Sequence, residues 1–418
     1  MHEHRINDNA NRAYRRHFYL YANQPVYRCG GEYYSEYKNF IDLLSELAAK
    51  NEEYTLVLPC KKSRTLQKNS LKLININCKV MEVTHYAGHL QALIASLTNA
   101  FTLRSAIAAE VKRGTEVIVA GPGPNSFLFW TSLIAPKSVK FAFFIRGNTK
   151  LTLKSIYNNH PLRFLILGLV QIFQNNICKL AKAKRACIFT FGKALKSIYL
   201  VPEDRIYAIA PLIEEWIVSK KTRKSIATNG WIKILFIGRL SPEKNIISLV
   251  KACKIARDKG KPFHLTIVGS GIQHDEIAQY TQKNMLSEYI TMLGHIKHGD
   301  ELINAYDTND ILCLPSYTEG TPSVIAEAFA RGMPVIATKV GSIPFMFPGQ
   351  IKFTEGFDEY DIYSAIEWCD SNRGEISTLG QNGNKMAGDY LIKGNAEYVN
   401  KILHKMFPHQ KLENETAS

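Results

Sequence analysis

Short apolar runs alternate with longer amphipathic patterns along most of this 418-residue chain. Continuous apolar strands separated by helices are typical of parallel sheets that are covered on both faces. The sequence therefore predicts an α/β protein with two Rossmann-like, doubly wound domains that face a central cleft. The predicted strands are HFYLYA, YTLVLP, KLINI, CKVMEV, EVIVA, VKFAFFI and ACIFTF in the first half, and IKILFIG, FHLTIVG, YITMLG, DILCLPS and PVIATKV in the second.

A polar stretch, residues 211–231, lies between the two sets of strands. The charge balance changes there, because residues 1–210 contain 29 Lys+Arg and 13 Asp+Glu, whereas the remaining residues contain 23 and 24. Polar segments of this kind are typical of domain boundaries. We predict an N-terminal Rossmann-like domain over residues 1–210, a linker over 211–231, a C-terminal Rossmann-like domain over 232–390, and a C-terminal helix and tail over 391–418.

The chain has a net charge of +15, and no carboxylate occurs between Val117 and Pro202. A field of one sign indicates an anionic partner such as a membrane surface, a phosphorylated substrate or nucleic acid, although a solvated basic surface gives the same pattern. The apolar run Phe164–Phe173 is about half the length of a membrane span. With its flanking cations it predicts either an interfacial helix on anionic headgroups or a core helix of the N-terminal domain.

Two features of the sequence bear on where the protein works. The N-terminal residues lack the apolar core of a secretory signal. Eight cysteines are scattered without a Cys-x-x-Cys pair, a pattern that favours reduced thiols over a disulfide framework or a structural zinc site. We therefore expect a cytoplasmic protein, not integral to a membrane, that binds reversibly to the inner face of the cell membrane.

The segment FIGRLSPEKN places two cations in the loop between a predicted strand and a predicted helix. Gly238 permits a tight turn, and Arg239 and Lys244 bracket the loop. Cations beside a helix N-terminus form a suitable cradle for a diphosphate. The related segment TIVGSG contains Gly269 and Gly271, but a Gly-x-Gly of this kind is equally typical of a simple strand-to-helix turn.

The segment LPSYTEGTPSVIAEAFARG repeats this arrangement of strand, loop and helix, with Glu319 in the loop and Glu327 about one turn into the helix. A glutamate near a helix start can simply stabilise the helix dipole. That explanation accounts for one glutamate but not for two carboxylates, an arginine and a lysine at successive strand ends. The amides predicted to face an anion or a sugar hydroxyl are those of Gly320, Thr321, Ser323 and Val324.

The motifs GRLSPEKN, IVGSG, LGHI, LPSYTEGTPSVIAEAFARGMPVIAT and VGSIP together resemble the retaining, nucleotide-sugar-dependent glycosyltransferases of family 4, which have the GT-B fold. The resemblance is dense from about Ile232 to Pro344, and it implies that the C-terminal domain binds the donor and the N-terminal domain binds the acceptor. It implies that Arg239 and Lys244 bind the donor diphosphate. It also implies that Glu327 holds the ribose and that Glu319 contacts the transferred sugar near the reacting carbon.

The resemblance extends more weakly to the first half of the chain. The turn formed by Gly30 and Gly31 matches the family's glycine-rich loop, whose backbone approaches the donor phosphates. Arg146, in FFIRGNTK, stands where the family often has histidine, and we interpret it as an acceptor or phosphate contact. Phe345 stands where the family usually has an acidic residue, so no role is carried over to that position.

No Asp-x-Asp motif occurs in the sequence. We therefore expect metal-independent transfer, with no cofactor, in which Arg239, Lys244 and helix amides neutralise the leaving diphosphate. No second carboxylate can be assigned as a nucleophile. Retention would then come from front-face attack, with the departing phosphate acting as the base.

These expectations describe a retaining, hexosyltransferase-type enzyme that transfers a sugar to a glycan or lipid-diphosphate-linked acceptor in bacterial surface polysaccharide synthesis. One alternative is an enzyme of the same fold that acts as a sugar phosphorylase or a nucleotide-sugar epimerase. Another is a basic membrane-binding or nucleic-acid-binding protein without catalysis. The chain shows no aromatic-rich RNA-binding motif, so no nucleic-acid partner is expected.

Overall fold

The computed structural model describes residues 16–22, 24, 26–35, 39–48, 53–63, 65, 71–73, 79–85, 89–123, 128–146, 149–150, 163–218, 226 and 230–408. The chain divides into two compact units. The first contains the described residues up to Phe191, then Leu195–Ile209, and the described residues from Asn395 onward. The second contains Gly192–Ala194 and Ala210–Gly394.

The described residues of the stretch predicted as a linker, 211–218, 226 and 230–231, fall within the second unit, and the other residues of that stretch lie outside the described residues. Ile213 forms an isolated parallel bridge with Leu391, and Ile217 and Ile226 are buried in the core of that unit. The end of the chain returns to the first unit at Asn395.

The first unit is built on a mostly parallel sheet. Its strand order is β10-β9-β8-β7-β1-β4-β2-β3-β5, with β6 pairing with β4, and only β3 runs antiparallel to its neighbours. The predicted strand ACIFTF is observed with the same bounds because all six of its residues are buried, as a central parallel strand requires. The strands are β1 Arg16–Tyr21, β2 Val26–Cys29, β3 Glu32–Ser35, β4 Glu53–Lys62, β5 Leu71–Lys72, β6 Lys79–Thr84, β7 Glu116–Gly123, β8 Lys140–Ile145, β9 Ala186–Phe191 and β10 Ile206–Ile209.

Three helices of the first unit share one core with the strands. The buried sides of α2, α3 and α4 join the inward side chains of β1, β7 and β8 in a single apolar cluster. The helices of this unit are α1 Asn39–Ala48, α2 His89–Lys112, α3 Leu128–Ile134 and α4 Arg163–Lys182, with 3₁₀ turns at Lys193–Ile198 and Glu203–Arg205.

A buried charge network ties the end of the chain to the first sheet. Arg16 on β1 lies 2.6 Å from the carboxylate of Glu116 on β7, and its guanidinium donates to the carbonyl oxygen of Phe407 at 2.5 Å. Lys140 on β8 also pairs with Glu116. Both residues of the Arg16–Glu116 pair are buried, so removal of either one would leave an uncompensated charge in the interior.

The second unit contains a fully parallel sheet with the order β13-β12-β11-β14-β15-β16. Numbered from its own first strand, this is the 3-2-1-4-5-6 order of doubly wound folds. The direction of winding reverses between β11 and β14, which are direct neighbours. The strands are β11 Lys233–Ile237, β12 His264–Val268, β13 Ile290–Gly294, β14 Ile311–Leu314, β15 Val335–Ala337 and β16 Ile351–Phe353.

Helices cover the second sheet and bury its strands, since all four residues of β14 are inaccessible to solvent. The α/β prediction is thus confirmed in both units. The helices are α5 Ile246–Asp258, α6 His274–Lys283, α7 Asp300–Thr308, α8 Ser323–Ala330, α9 Ile343–Met346, α10 Glu359–Ser371 and α11 Arg373–Lys385, with 3₁₀ turns at Glu215–Ile217, Pro242–Lys244 and Ala387–Tyr390. The last helix, α12 Ile392–Met406, begins in the second unit and belongs to the first unit from Asn395 onward.

Candidate active site at the switch point of the second sheet

The loops that follow β11 and β14 lie side by side at the carboxyl edge of the second sheet. The register pairs Ile234 with Ile311 and Leu235 with Leu312. The sheet order reverses between these two strands, and open α/β sheets bind ligands in the crevice at such a switch point. These are the two loops that carry the predicted lysine and glutamate.

Lys244 and Glu319 meet in this crevice. The Nζ atom of Lys244 donates to Oε1 of Glu319 at 2.7 Å, and the hydroxyl of Ser316 donates to the same oxygen at 2.7 Å. The two charged side chains are 18% and 6% exposed, so the pair is largely shielded from water. The lysine occupies the last position of the 3₁₀ turn Pro242–Lys244, immediately before Asn245 and helix α5.

Arg239 is held more loosely than Lys244. Its guanidinium lies 3.5 Å from Oε1 of Glu243, and its side chain is 75% exposed. An exposed pair of this kind contributes little to stability.

The two loops are also joined through the backbone, because the amide of Tyr317 donates to the carbonyl of Glu243 at 2.9 Å.

Gly269 and Gly271 are needed for the packing of neighbouring loops. Gly269 has a φ of +144°, and a Cβ at this position would lie 1.8 Å from the carbonyl oxygen of Gly238. A Cβ at Gly271 would lie 2.3 Å from the carbonyl of Leu240. The Gly-Ser-Gly turn after β12 therefore brings its backbone against the loop after β11, and the amide of Leu240 donates to Ser270 at 2.9 Å. This contact gives the glycines of the turn a packing role.

Gly341 and Ser342 support the backbone of the Glu319 loop, a role that the sequence analysis missed. Gly341 has a φ of +55°, and a Cβ there would lie 1.8 Å from the carbonyl oxygen of Glu319. The hydroxyl of Ser342 donates to the carbonyl of Gly320. Both residues belong to the motif VGSIP, which the sequence analysis identified as a motif. Their contact with the Glu319 loop could not be predicted, because it depends on how the loops pack in three dimensions.

Helix α8 begins directly after this loop. The residue before its first turn is Pro322, whose side chain has no oxygen with which to cap the helix amides. The amides of Ser323 and Val324 therefore lie at an N-terminus without a side-chain cap. Gly320 and Thr321 complete the loop that leads from Glu319 to the helix.

Glu327 lies in the second turn of α8 and is held by a residue that the sequence analysis did not identify. The hydroxyl of Tyr306, a fully buried side chain on α7, donates to Oε2 of Glu327 at 2.7 Å. Burial raises the pKa of the Glu327 carboxyl, although the hydrogen bond from Tyr306 and the charge of His298 oppose this effect. His298 also lies 3.5 Å from a carboxylate oxygen of Glu214, whose negative charge adds to the rise in the pKa of Glu327.

Three other predicted site residues belong to the first unit. Gly30 and Gly31, with φ values of +59° and +87°, form the exposed two-residue turn of the β2–β3 hairpin, which requires positive φ at both positions. Arg146 directly follows β8, and its guanidinium lies 5.5 Å from the ring centre of Phe40. Their contacts with donor or acceptor stay predictions. Among the described residues, no group of three or more His, Cys, Asp or Glu side chains is placed to hold a metal ion.

Comparison with known proteins identifies the segment that contains this crevice. Residues 218–348 match the family model described as glycosyl transferases group 1. The chain is 31% identical over 171 residues to an uncharacterized glycosyltransferase of Methanocaldococcus jannaschii, a match that covers 37% of this chain and 43% of the relative. It is 30% identical over 119 residues to the amylovoran biosynthesis glycosyltransferase AmsK of Erwinia amylovora, a match that covers 27% of this chain and 29% of the relative. The chain thus spans less than half the length of these relatives.

Solved structures extend the likeness to the whole fold. Sucrose-phosphate synthase of Thermosynechococcus elongatus superposes with a TM-score of 0.68 at 16% identity, covering 94% of this chain and 99% of that one. The Anabaena protein HepE, solved in complex with UDP, superposes with a TM-score of 0.62 at 14% identity, covering 93% of this chain and 100% of that one. The predicted GT-B fold is confirmed, and the segment that contains the crevice is similar to the glycosyl transferases of group 1.

Proposed function

We propose that the chain is a retaining glycosyltransferase of family 4 that moves a sugar from a nucleotide-sugar donor to a glycan or lipid-linked acceptor. The observation that carries this proposal is the Lys244–Glu319 pair at the switch point, within the segment that matches the family model. A shielded cation and carboxylate at the carboxyl edge of a doubly wound sheet suit a ligand with both phosphate and hydroxyl groups.

The donor diphosphate would lie between Lys244, Arg239 and the first turn of α8. An ammonium group has three N–H donors, so Lys244 can keep its bond to Glu319 and still donate to a phosphate oxygen. The exposed guanidinium of Arg239 has a 3.5 Å contact with Glu243 and can turn towards the same phosphates. The amides of Ser323 and Val324 would add partial positive charge at the helix N-terminus.

Glu327 would hold the ribose of the donor. An ionised carboxylate accepts about four hydrogen bonds; Tyr306 uses one of these positions on Oε2, and the side chain of Ser323 uses another. About two acceptor positions therefore remain for a ribose diol. The bond from Tyr306 fixes the orientation of the carboxylate before the donor arrives, which lowers the entropic cost of binding.

The proposed transfer takes place in one step and needs no protein nucleophile. The bond between the anomeric carbon and the diphosphate oxygen breaks, and its electron pair stays with the diphosphate, where Lys244 and Arg239 stabilise the growing charge. The acceptor hydroxyl attacks from the face that the diphosphate leaves, so the configuration is retained. Its proton passes to the departing phosphate oxygen, while Glu319 positions the sugar.

A relative from Staphylococcus aureus, 29% identical over 157 residues, is named for capsular polysaccharide biosynthesis, and HepE was also solved with UDP-glucose. These names support a sugar nucleotide as donor and the assembly of a surface polysaccharide as the context. We assign the reaction to the cytoplasmic side of the membrane and expect it to need neither a cofactor nor a metal ion.

A three-part reaction tests this function. The purified protein is incubated with a panel of labelled sugar nucleotides, first alone, then with inorganic phosphate, and then with a lipid-linked glycan extract. We expect label in the glycan fraction only when the extract is present. Label recovered as sugar 1-phosphate would indicate a phosphorylase, and label in a second sugar nucleotide would indicate an epimerase. Either of these products would contradict the proposal.

A further inference from the structure

Helix α4 has an exposed stripe that changes from apolar to basic along its length. The exposed positions follow the three- and four-residue spacing of one helix face. They begin with large apolar side chains and end with lysines. In order, the stripe consists of Leu165, Gly168, Ile172, Asn175, Lys179 and Lys182.

The opposite side of α4 packs inside the protein. Phe173, Ile177 and Leu180 are buried in the core shared with the first sheet. Phe164 and Leu165, in contrast, are 84% and 60% exposed. The helix is therefore both a core helix and a carrier of an exposed apolar end, so the two predictions for this segment are compatible.

The helices beside α4 extend this apolar surface. The side chain of Asn176 on α4 donates to the hydroxyl of Ser132 on α3 at 2.7 Å, and Arg104 on α2 donates to the carbonyl of Ile134 at 3.1 Å. The three helices are thus neighbours on one side of the sheet. Their outer sides expose Leu97, Phe101, Leu133, Phe164, Leu165 and Ile172, which we call the apolar face.

The charge along α3 and α4, two of the three helices that form the apolar face, has one sign. No carboxylate occurs from Val117 to Pro202, a range that contains both α3 and α4, and exposed lysines lie at the end of α4. Exposed apolar patches usually mark a binding surface, and apolar groups next to lysines are typical of surfaces that meet anionic lipid headgroups. A helix of this length and composition could also cross a membrane, but one such helix is weak evidence of a span, and one side of α4 packs in the core of the first unit.

We propose that the apolar face is a docking surface for an anionic phospholipid bilayer. The side chains of Phe164, Leu165 and Ile172 enter the headgroup region, and Lys179 and Lys182 contact lipid phosphates. This surface belongs entirely to the first unit, so the inference does not depend on the proposed sugar transfer. Binding is reversible and weakens as salt rises, because the lysine contribution is screened.

Co-sedimentation of the full chain with vesicles tests this proposal without any activity assay. The vesicles contain either phosphatidylcholine alone or phosphatidylcholine with about one third phosphatidylglycerol. We expect binding to the anionic vesicles at low salt, and loss of binding at high salt or with the neutral vesicles. If the protein stays in the supernatant with anionic vesicles at low salt, the proposal is wrong.

Two double variants separate the apolar and the basic contributions. Lys179→Gln with Lys182→Gln should lower the partition coefficient about 30-fold, since each cation near an anionic surface contributes a factor of about five. Phe164→Ser with Leu165→Ser should lower it roughly tenfold or more, because these side chains lose their apolar contact with lipid.

The control double variant is Met285→Ser with Tyr360→Ser, which removes exposed apolar side chains from the second unit and should bind vesicles as the natural sequence does. Gel filtration of the vesicle-free protein completes the test. A concentration-dependent dimer that the Phe164→Ser, Leu165→Ser variant abolishes would overturn the proposal, because it would make the apolar face an interface between two copies of the chain.

Discussion

The ammonium of Lys244 lies 2.7 Å from Oε1 of Glu319, although 75 positions separate the two residues in the chain. Neither residue lies in a regular strand, and each is placed by the end of one of two adjacent strands, β11 and β14. The pair fixes the geometry of the crevice, and it also leaves the glutamate dependent on the lysine for its compensating charge.

The first prediction concerns the interdependence of this pair. Lys244→Ala should destabilise the protein by about 2 kcal/mol, because the Glu319 side chain is only 6% exposed and loses its charged hydrogen-bond donor. The double variant Lys244→Ala, Glu319→Gln should recover part of this loss. Urea unfolding of the single and double variants measures the coupling. Strictly additive effects would show that the two charges do not interact in solution.

The second prediction concerns Tyr306 as a positioning residue for Glu327. Tyr306→Phe removes the 2.7 Å bond to the carboxylate and should raise the KM for the donor several-fold while kcat stays within about twofold. Tyr363→Phe is a matched control, because Tyr363 also donates to a glutamate at 2.7 Å, in this case Glu367 on α10. Equal changes in KM for both variants would indicate a general loss of stability instead of a role in positioning.

Residues at the ends of buried strands could be predicted from the sequence, whereas residues whose role depends on tertiary packing could not. Lys244 and Glu319 could be predicted because each follows a buried, continuous apolar strand, and strand ends share one edge of a parallel sheet. Their adjacency depends on the strand order, which the sequence does not specify. Tyr306 gave no signal, since a tyrosine on an amphipathic helix normally indicates a core position.

Among the strands, the fully buried ones were predicted well, and short or partly exposed ones were missed. Fully buried strands such as β9 were predicted closely because both of their faces are apolar. The hairpin of β2 and β3 was missed, since its Gly30–Gly31 turn was interpreted only as a ligand loop and its strands are polar and partly exposed. The strand β16 has only three residues, too few for a periodic pattern to be recognised.

The third prediction concerns pH and the Glu327 carboxyl. Burial raises the pKa of this carboxyl above its ordinary value of 4.5. The folded protein therefore holds this proton more tightly than the unfolded chain does. As pH rises from about 4.5 through the raised pKa, the contribution of Glu327 to the free energy of unfolding must fall, whereas below 4.5 both states are protonated and the contribution is constant.

Glu327→Gln removes this titration. The stability of the variant relative to the natural sequence should therefore increase across that window and be constant below it. Urea unfolding at a series of pH values from about 4 to 8 measures the difference. A difference that stays constant or falls with rising pH would show that the folded protein does not raise this pKa.

The fourth prediction concerns metal ions. Sugar transfer should persist in an excess of EDTA, because Lys244, Arg239 and the α8 amides are proposed to neutralise the leaving diphosphate. Initial rates with and without chelator, at equal ionic strength, measure the effect. A loss of activity that magnesium or manganese restores would mean that a divalent cation takes part in the reaction.

The most direct test of the proposed site is transfer of labelled sugar from a sugar nucleotide to a lipid-linked glycan extract by the natural protein, Glu319→Ala and Glu288→Ala. Glu288 is an exposed carboxylate of the second unit, so its removal controls for the loss of one negative charge. We predict that the natural protein and Glu288→Ala transfer label at similar rates. Folded Glu319→Ala should lose about 100-fold or more. Transfer by folded Glu319→Ala at a rate within about tenfold of the natural protein would contradict the assignment of this crevice as the active site.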